Sequence, residues 1–502
     1  MGHQGSARLT ALTPPLDICA HLEHATPDRH QAPSVELVRE EPASAQSDGT
    51  KASNRDGSAS SWSPGTATLN RFIAARWVDT ESVEVTDRVM PCDPSPGLRG
   101  AVGRQGSDCT GATTIRALID DRPRPAGPGR SMRIAVVREQ GIGERRVALT
   151  PEAAETLVAD GHSVVVESGA GVAAGMDDEA YRSAGASVTP EPSALLADGT
   201  VVVSVNGPGD DLLSGIGPSH VVVGLFDPVW RPEVAAGFAP TGASMISLDL
   251  VPRSTRAQAV DVLSSMATVI GFQAVLLAAE RLPKMLPLLI TAAGTVKPAR
   301  VLVLGAGVAG LQAVATARRL GAVVEGFDIR EEALEQIRSL GARSVDPPPT
   351  SDGTIPAPEA IHEALAPVVA EADVVIASAQ IPGRRSPLLV TAAMVAGMRP
   401  GSLLVDLAVQ RGGNCDLSVA DQEIDHGGVT VLAPTDLASG SAVTASRMFA
   451  TNVVNLIHML DRDGKPFVDP DDDVLVGMHV TAGGEVVHPM VRAALDERGA
   501  ES

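Results

Sequence analysis

Aromatic residues are scarce in this sequence: Phe, Trp and Tyr make up 2% of 502 residues, and Tyr181 is the single tyrosine. A core built on ring packing is excluded. With 44% hydrophobic residues, the interior must be filled by Val, Ala, Leu and Ile, as in α/β proteins whose parallel sheets are buried on both faces. Cysteine is scarce too, at positions 19, 92, 109 and 415. No two of these have metal-ligand spacing, so no metal site is indicated, and a reducing, cytoplasmic setting fits. Positive charge is outweighed, with 40 Lys and Arg against 61 Asp and Glu and a formal net charge of −21. That argues against a nucleic-acid partner and against direct contact with an anionic membrane surface, while a cationic protein partner stays open. The N-terminus lacks the apolar core of a signal peptide. Residues 301–317 (VLVLGAGVAGLQAVATA) are almost wholly apolar. They are short for a span of about 20 residues and read better as strand, glycine turn and helix. No transmembrane helix is expected.

Residues 1–131 are rich in Ser, Pro, Gly, Asp and Arg and show no sustained period of 2 or 3.6. Such a composition cannot bury enough apolar area to offset chain entropy, and disorder is expected. Patterning begins abruptly at Met132 with MRIAVVRE. Met132 is therefore expected to be the true start, the upstream part being an extension. Mass spectrometry of the natural N-terminus would check this, and a peptide from residues 1–130 would refute it.

From Met132 strands and helices alternate. Strands are expected at 133–137, 163–167, 201–205, 220–226 and 244–248. Thr150, Pro151 and Gly161 mark the start and end of an intervening helix. A long helix is expected over 256–281, and a second βαβ series over 301–304, 323–327, 374–378, 403–407 and 429–432. A last helix covers 446–460. The expected fold is α/β, with two doubly wound parallel-sheet (Rossmann-like) domains joined by long helices. The first comprises residues 132–260, completed by about 456–495. The second comprises 261–455, and 461–502 form an acidic tail with weak strand signals.

The strongest motif is Gly305-Ala306-Gly307-Val308-Ala309-Gly310. A strand precedes it, a helix follows, and a second strand closes on Asp328, near the expected distance of about 20 residues. Gly305 permits the tight turn, Gly307 lets backbone approach a pyrophosphate, and Gly310 lets helix and strand pack. The helix N-terminus offers free N–H groups and positive dipole to the phosphates. Asp328 can accept hydrogen bonds from both ribose hydroxyls and would repel a 2′-phosphate, which favours NAD(H) over NADP(H). Ile329 and Arg330 follow it; Arg330 could hold a 2′-phosphate, or pair with Asp328 or the pyrophosphate. Two further segments lie just past strand ends and should flank the ribose and nicotinamide: Ala379-Gln380 running to Gly383, and Asp406 running to Gly412-Gly413-Asn414.

Over residues 132–495 these segments, with VVVESGAG, VPRSTRAQAVDVLSS, IPGRRSPLLV and ATNVVNLIHML, resemble the alanine dehydrogenase/transhydrogenase family. The match is closest to the NAD(H)-binding, membrane-helix-free alpha-type subunit of its proton-translocating transhydrogenase branch. That resemblance implies a loop in which Arg253 pairs with Asp261, Gln258 faces the nicotinamide and the incoming NADP ring, and Ser264 holds the carboxamide, with Arg256 also at the cofactor. It implies hydride transfer from C4 of NADH to C4 of NADP⁺ without acid or base. One dinucleotide fingerprint means that NADP(H) is bound by a partner subunit, among membrane-spanning subunits that carry the proton. A homodimer, peripheral on the inner face of the plasma membrane, is implied. A soluble alanine-type dehydrogenase stays as the rival, although residues 204–208 and 226–228 hold neither the Lys nor the His that a keto-acid site needs. Residues 346–357 stand where the family usually has a longer mobile loop with a tyrosine. Here the loop is short and Pro-rich, which leaves a non-catalytic NAD-binding regulator as the third reading. Arg146 matches an arginine common to both branches.

Overall fold

A computed structural model of the chain describes residues 131–501, apart from 198, 351–354 and 382. The expectation of disorder upstream therefore falls, all but Ser131, outside the described residues, as does the middle of the shortened loop.

Six short strands open the fold: β1 (Arg133–Val136), β2 (Ser163–Glu167), β3 (Ser187–Thr189), β4 (Thr200–Val203), β5 (Val221–Gly224) and β6 (Ser244–Ser247). They are parallel and lie in the order β6-β5-β4-β1-β2-β3. Both faces are covered, which is why their sequences are runs of valine rather than alternations. Ile134, Val136, Val201 and Val203 enter one core, while Ala135, Val202 and Val222 enter the other. The helix Pro151–Ala159 is capped by Thr150, whose side chain accepts from the Ala153 N–H.

A hairpin, β7 (Leu289–Thr291) and β8 (Gly294–Val296), precedes the second sheet. That sheet contains β9 (Arg300–Leu304), β10 (Val323–Phe327), β11 (Arg343–Val345), β12 (Val374–Ala377), β13 (Leu403–Asp406), β14 (Glu423–His426) and β15 (Val429–Leu432). The order is β11-β10-β9-β12-β13-β15-β14, parallel except for β14. After the small hairpin β16 (Asp461–Arg462) and β17 (Lys465–Pro466), β18 (His479–Ala482) pairs antiparallel with β6 and β19 (Glu485–Val486) extends it. Both sheets are thus doubly wound Rossmann-like α/β sheets, with antiparallel strands added at an edge of each. In each, the strand order reverses beside the first strand, at β1/β4 and at β9/β12, which opens a crevice at the strand C-termini.

Two long helices tie the halves together. Val262–Arg281 places Val262, Met266 and Val269 in the first core and Ala274, Val275 and Ala278 in the second. Among the described residues it is the one helix long and apolar enough to cross a membrane, and that apolar character is spent on two cores. The expected single helix over 256–281 is broken at Asp261. Residues Arg256–Val260 form a 3-10 turn, and Asp261, at ψ 80°, caps the α-helix that follows. Ala442–Leu460 is the second long helix, with its apolar stripe in the first core.

Candidate functional site

The second crevice is built around the glycine turn. Gly305 has φ +91°, and a Cβ there would lie 2.8 Å from the Ala379 nitrogen, so only glycine fits. Gly310 lies against the Gly305 carbonyl: a Cβ would come within 1.8 Å of that oxygen and 2.9 Å of Ser378 Oγ. Gly307 is different. Nothing lies within 4 Å of where its side chain would be, and it starts the helix Val308–Arg319 with no side chain capping it. Open space therefore meets an uncapped helix N-terminus, a cradle suited to an anionic group. Ala309 faces a different neighbour. A Cβ on Gly271 of the helix Val262–Arg281 would come 2.1 Å from the Ala309 carbonyl oxygen, so the two helices cross backbone to backbone at the turn.

Asp328, at the end of β10, is buried, and its carboxylate closes the turn. Oδ2 accepts from the Ala306 N–H at 2.8 Å, and Oδ1 accepts from the Arg330 N–H at 3.0 Å. Arg330 adds a two-pronged pair, Nε to Oδ1 at 2.9 Å and a terminal nitrogen to Oδ2 at 3.0 Å. Burial alone would raise the Asp328 pKa, but these hydrogen bonds and the guanidinium charge hold it below the usual range. Val308, after Gly307, and Ile329, after Asp328, are both exposed.

The loops past β12 and β13 are stitched together by Asn414, which is fully buried. Its Oδ1 accepts from the Ala379 N–H at 3.0 Å; its Nδ2 donates to the Ala379 carbonyl at 2.9 Å and to the Pro387 carbonyl at 2.7 Å. Gln380 Nε2 donates to the Leu407 carbonyl at 3.0 Å. Asp406 is buried and gathers the N–H groups of Ala408, Asn414 and Cys415 and the hydroxyl of Ser418. The crevice wall is therefore braced by internal polar bonds.

The charged loop at 253–261 sits at the N-terminus of the helix that passes the glycine turn. Ten residues separate Asp261 from Gly271, about 15 Å along a helix. Arg253 and Gln258 are exposed. The implied Arg253–Asp261 pair does not form. Asp261 instead accepts from the Ser264 N–H at 2.9 Å and from its hydroxyl at 2.6 Å, because a carboxylate at an N-cap satisfies a free helix N–H; among the described residues Arg253 has no ion pair. Arg256 turns toward the C-terminal segment and pairs with Asp473 at 2.6 Å and with Asp472. The loop is pinned from the helix Ala442–Leu460, where Asn452 and Asn455 both donate to the Ala259 carbonyl, at 2.8 and 2.9 Å. Sequence reasoning missed Asn452, Asn455 and Gly271. Their signals were two Asn one turn apart in an apolar helix, and a mid-helix glycine.

Comparison with known proteins decides the family. Residues 135–270 match the alanine dehydrogenase/PNT N-terminal domain and residues 274–489 its C-terminal domain. NAD(P) transhydrogenase subunit alpha of Cereibacter sphaeroides is 41% identical over 373 residues, 71% of each chain. The first part of that subunit from Rhodospirillum rubrum is 38% identical over 71% of this chain and 98% of its own. The chain belongs to the alanine dehydrogenase/PNT family. A solved transhydrogenase from Sinorhizobium meliloti superposes with TM-score 0.63 at 39% identity, covering 71% of this chain and 99% of its own. An L-alanine dehydrogenase structure follows at TM-score 0.61, 27% identity, and coverage of 73% and 99%.

This family member fills its first crevice with its own side chains. Glu139, past β1, accepts from the Val205 and Asn206 N–H groups at 2.6 and 3.1 Å. Burial pushes its pKa up to about 7, against the lowering effect of those bonds and with Glu144 and Arg146 facing it. Arg146 forks onto Glu144 at 2.8 and 2.6 Å. Glu144 also takes the Ser439 hydroxyl at 2.8 Å and Asn206 Nδ2 at 2.7 Å. Burial opposes its ionisation, but Arg146 and Ser439 outweigh that and hold its pKa at about 2. Past β5, Asp227 pairs with Arg411 of the second sheet's loop at 2.6 Å, and that guanidinium lies 5.5 Å from the Trp230 ring centroid.

Proposed function

We propose that this chain is the NAD(H)-binding subunit of a proton-translocating NAD(P) transhydrogenase. The observation that carries this reading is the crevice at β9/β12, where Gly307 opens an uncapped helix N-terminus and Asp328 stands at the ribose end. The residues fit the group: a Cβ at Gly305 or Gly310 would destroy the turn, whereas one at Gly307, where the pyrophosphate must approach, would meet nothing. When bound, the nicotinamide supplies a hydride at C4, and NADP⁺ held by a partner subunit accepts it at its own C4.

The work of this chain is positioning. The glycine turn and helix N-terminus hold the pyrophosphate, and Asp328, fixed by the Ala306 and Arg330 N–H groups, holds the adenosine ribose. The Asn414-braced loops at Ala379 and Gln380 wall the crevice. The helix Val262–Arg281 leads from the turn to the exposed loop of Arg253 and Gln258, where a second protein can meet the ring; Ser264, beside Asp261, faces the same end. Proton translocation and NADP(H) binding are assigned to membrane-spanning partner subunits, which would place this chain on the inner membrane face. A homodimer is supported by the hairpin β7–β8 and the segment before it, where Met285, Leu288 and Ile290 are exposed, Ile290 by 78%.

The first crevice speaks against the amino-acid dehydrogenase reading. It has no Lys or His at the ends of β4 and β5, and Arg146, which could anchor a substrate carboxylate, is already taken by Glu144. The test is reconstitution: mixed with an NADP(H)-binding transhydrogenase subunit, the chain should support cyclic hydride exchange between NADH and an NAD analogue. Failure of that exchange, with NADH oxidised by pyruvate and ammonia instead, would replace this reading with the dehydrogenase.

A further inference from the structure

We propose that Arg330 is a specificity-determining residue that occupies the ribose position of the nucleotide site and must be displaced by the incoming diol. This rests on the NAD(H) reading of the crevice and adds a residue that competes with the ligand. Asp328 receives four donors: the Ala306 N–H, the Arg330 N–H, and two nitrogens of the Arg330 guanidinium. A carboxylate offers about four lone-pair sites, so this one is saturated. A ribose diol needs two of those sites. The two backbone donors are fixed by the glycine turn and by the first turn of the helix Glu331–Ser339. Only the guanidinium can leave. Its side chain is 57% exposed, so it has water to move into. It also leans across the mouth of the turn, with a terminal nitrogen 3.4 Å from the Ala306 carbonyl.

Two consequences follow from that geometry, and they have opposite signs. Binding of NADH exchanges two charge-assisted bonds for two hydroxyl bonds, so the pair works against NADH. Once displaced, the guanidinium stays tethered one residue beyond Ile329, next to the ribose 2′ position. A cation there attracts a 2′-phosphate and offsets the repulsion that Asp328 exerts on it. Arg330 therefore narrows the discrimination between the two nucleotides from both directions.

The test is calorimetric titration of the full chain with NADH and with NADPH, for the wild type, Arg330→Ala and Arg330→Lys. Arg330→Ala should bind NADH about two- to fivefold tighter, the scale expected from a half-exposed ion pair, and bind NADPH more weakly by a similar factor. Arg330→Lys keeps the charge without the planar fork. It should bind NADH more tightly than wild type and retain wild-type NADPH binding. If no variant binds NADPH measurably, the NADH arm decides alone. Unchanged or weakened NADH binding in Arg330→Ala, or both nucleotides shifting in the same direction, would overturn the inference while leaving the NAD(H) reading intact. A wild-type chain that binds neither nucleotide would overturn both.

Discussion

Replacing Gly271 with alanine tests the backbone-to-backbone crossing that joins the connecting helix to the glycine turn. An added Cβ would sit 2.1 Å from the Ala309 carbonyl oxygen, 2.9 Å from its carbon and 3.0 Å from its Cα. Carbon–oxygen contacts settle near about 3.5 Å, so the helices must part by more than about 1 Å. Overpacking costs about 1–3 kcal/mol, and a 2.1 Å contact with a backbone oxygen, which no rotamer change relieves, belongs in the upper part of that range, about 2–3 kcal/mol. Alanine returns about 1 kcal/mol through its better helix propensity, so the net expectation is a loss of roughly 1–2 kcal/mol. Because the clash falls on Ala309, inside the turn, NADH affinity should fall with stability. The control is Gly237 in the helix Pro232–Phe238, which is exposed and has nothing within 4 Å of where a Cβ would lie. There the same substitution should stabilise by about 0.5–1 kcal/mol. Urea unfolding midpoints and NADH titrations of both variants are the assays. A Gly271→Ala protein as stable as wild type would refute the close crossing, and a destabilised Gly237→Ala protein would refute the propensity argument.

Asn414→Leu keeps the branched shape but strips partners from the Ala379 N–H, the Ala379 carbonyl and the Pro387 carbonyl; at about 1–3 kcal/mol for each group left buried and unpaired, with water recovering part, a loss of roughly 2–4 kcal/mol is expected in the urea midpoint. Glu139, with its pKa raised to about 7, binds a proton in the folded chain that the unfolded chain has already released. Its contribution is therefore fully present below about pH 4.5 and is lost as pH rises to about 7, up to about 3 kcal/mol. Glu144, held at about 2, works the other way, its contribution lost only as pH falls from about 4.5 toward 2. Glu139→Gln should flatten the decline of stability between about pH 4.5 and 7, followed by thermal melts across that range. A double-mutant cycle on Asp227→Ala and Arg411→Ala should give a coupling of about 1 kcal/mol, since both side chains are largely shielded; additive losses would show that the clasp between the two sheets carries no energy.

The parallel strands were legible because burial on both faces leaves no choice but Val, Leu and Ile, and TVVV, VVVG and RVLVL carry that mark. The glycine fingerprint was legible because each glycine answers a different steric demand. The antiparallel edges were not. Strand β14 reads EIDH, with only a half-buried face, and β18 pairs with β6 across more than 200 residues of chain, a relation that no local pattern encodes. The Arg253–Asp261 pair failed for a related reason. Spacing shows that an aspartate stands eight residues after an arginine, but the same aspartate precedes a helix, and the nearer partner, the Ser264 N–H, takes the carboxylate. Glu139 was invisible as a crevice residue because its partners at 205 and 206 are reached only once β1 and β4 lie side by side.

The two sheets share a strand order and a reversal point, yet they offer different chemistry there. At β9/β12 the chain spends glycine, which removes side chains from the crevice and leaves backbone N–H groups facing open space. At β1/β4 it spends carboxylates: Glu139 sits on the strand-end N–H groups that an anionic ligand would otherwise reach, and Glu144 occupies Arg146. A crevice whose donors are already paired gains little from a ligand that can only replace those bonds one for one. The fold alone therefore permits two sites, and the side chains leave one of them open. The closed crevice keeps a mechanical use. Glu144 holds Ser439, just before the helix Ala442–Leu460, and Asp227 holds Arg411 beside the Asn414 loop, so the filled site is bonded to two segments that follow strands of the second sheet.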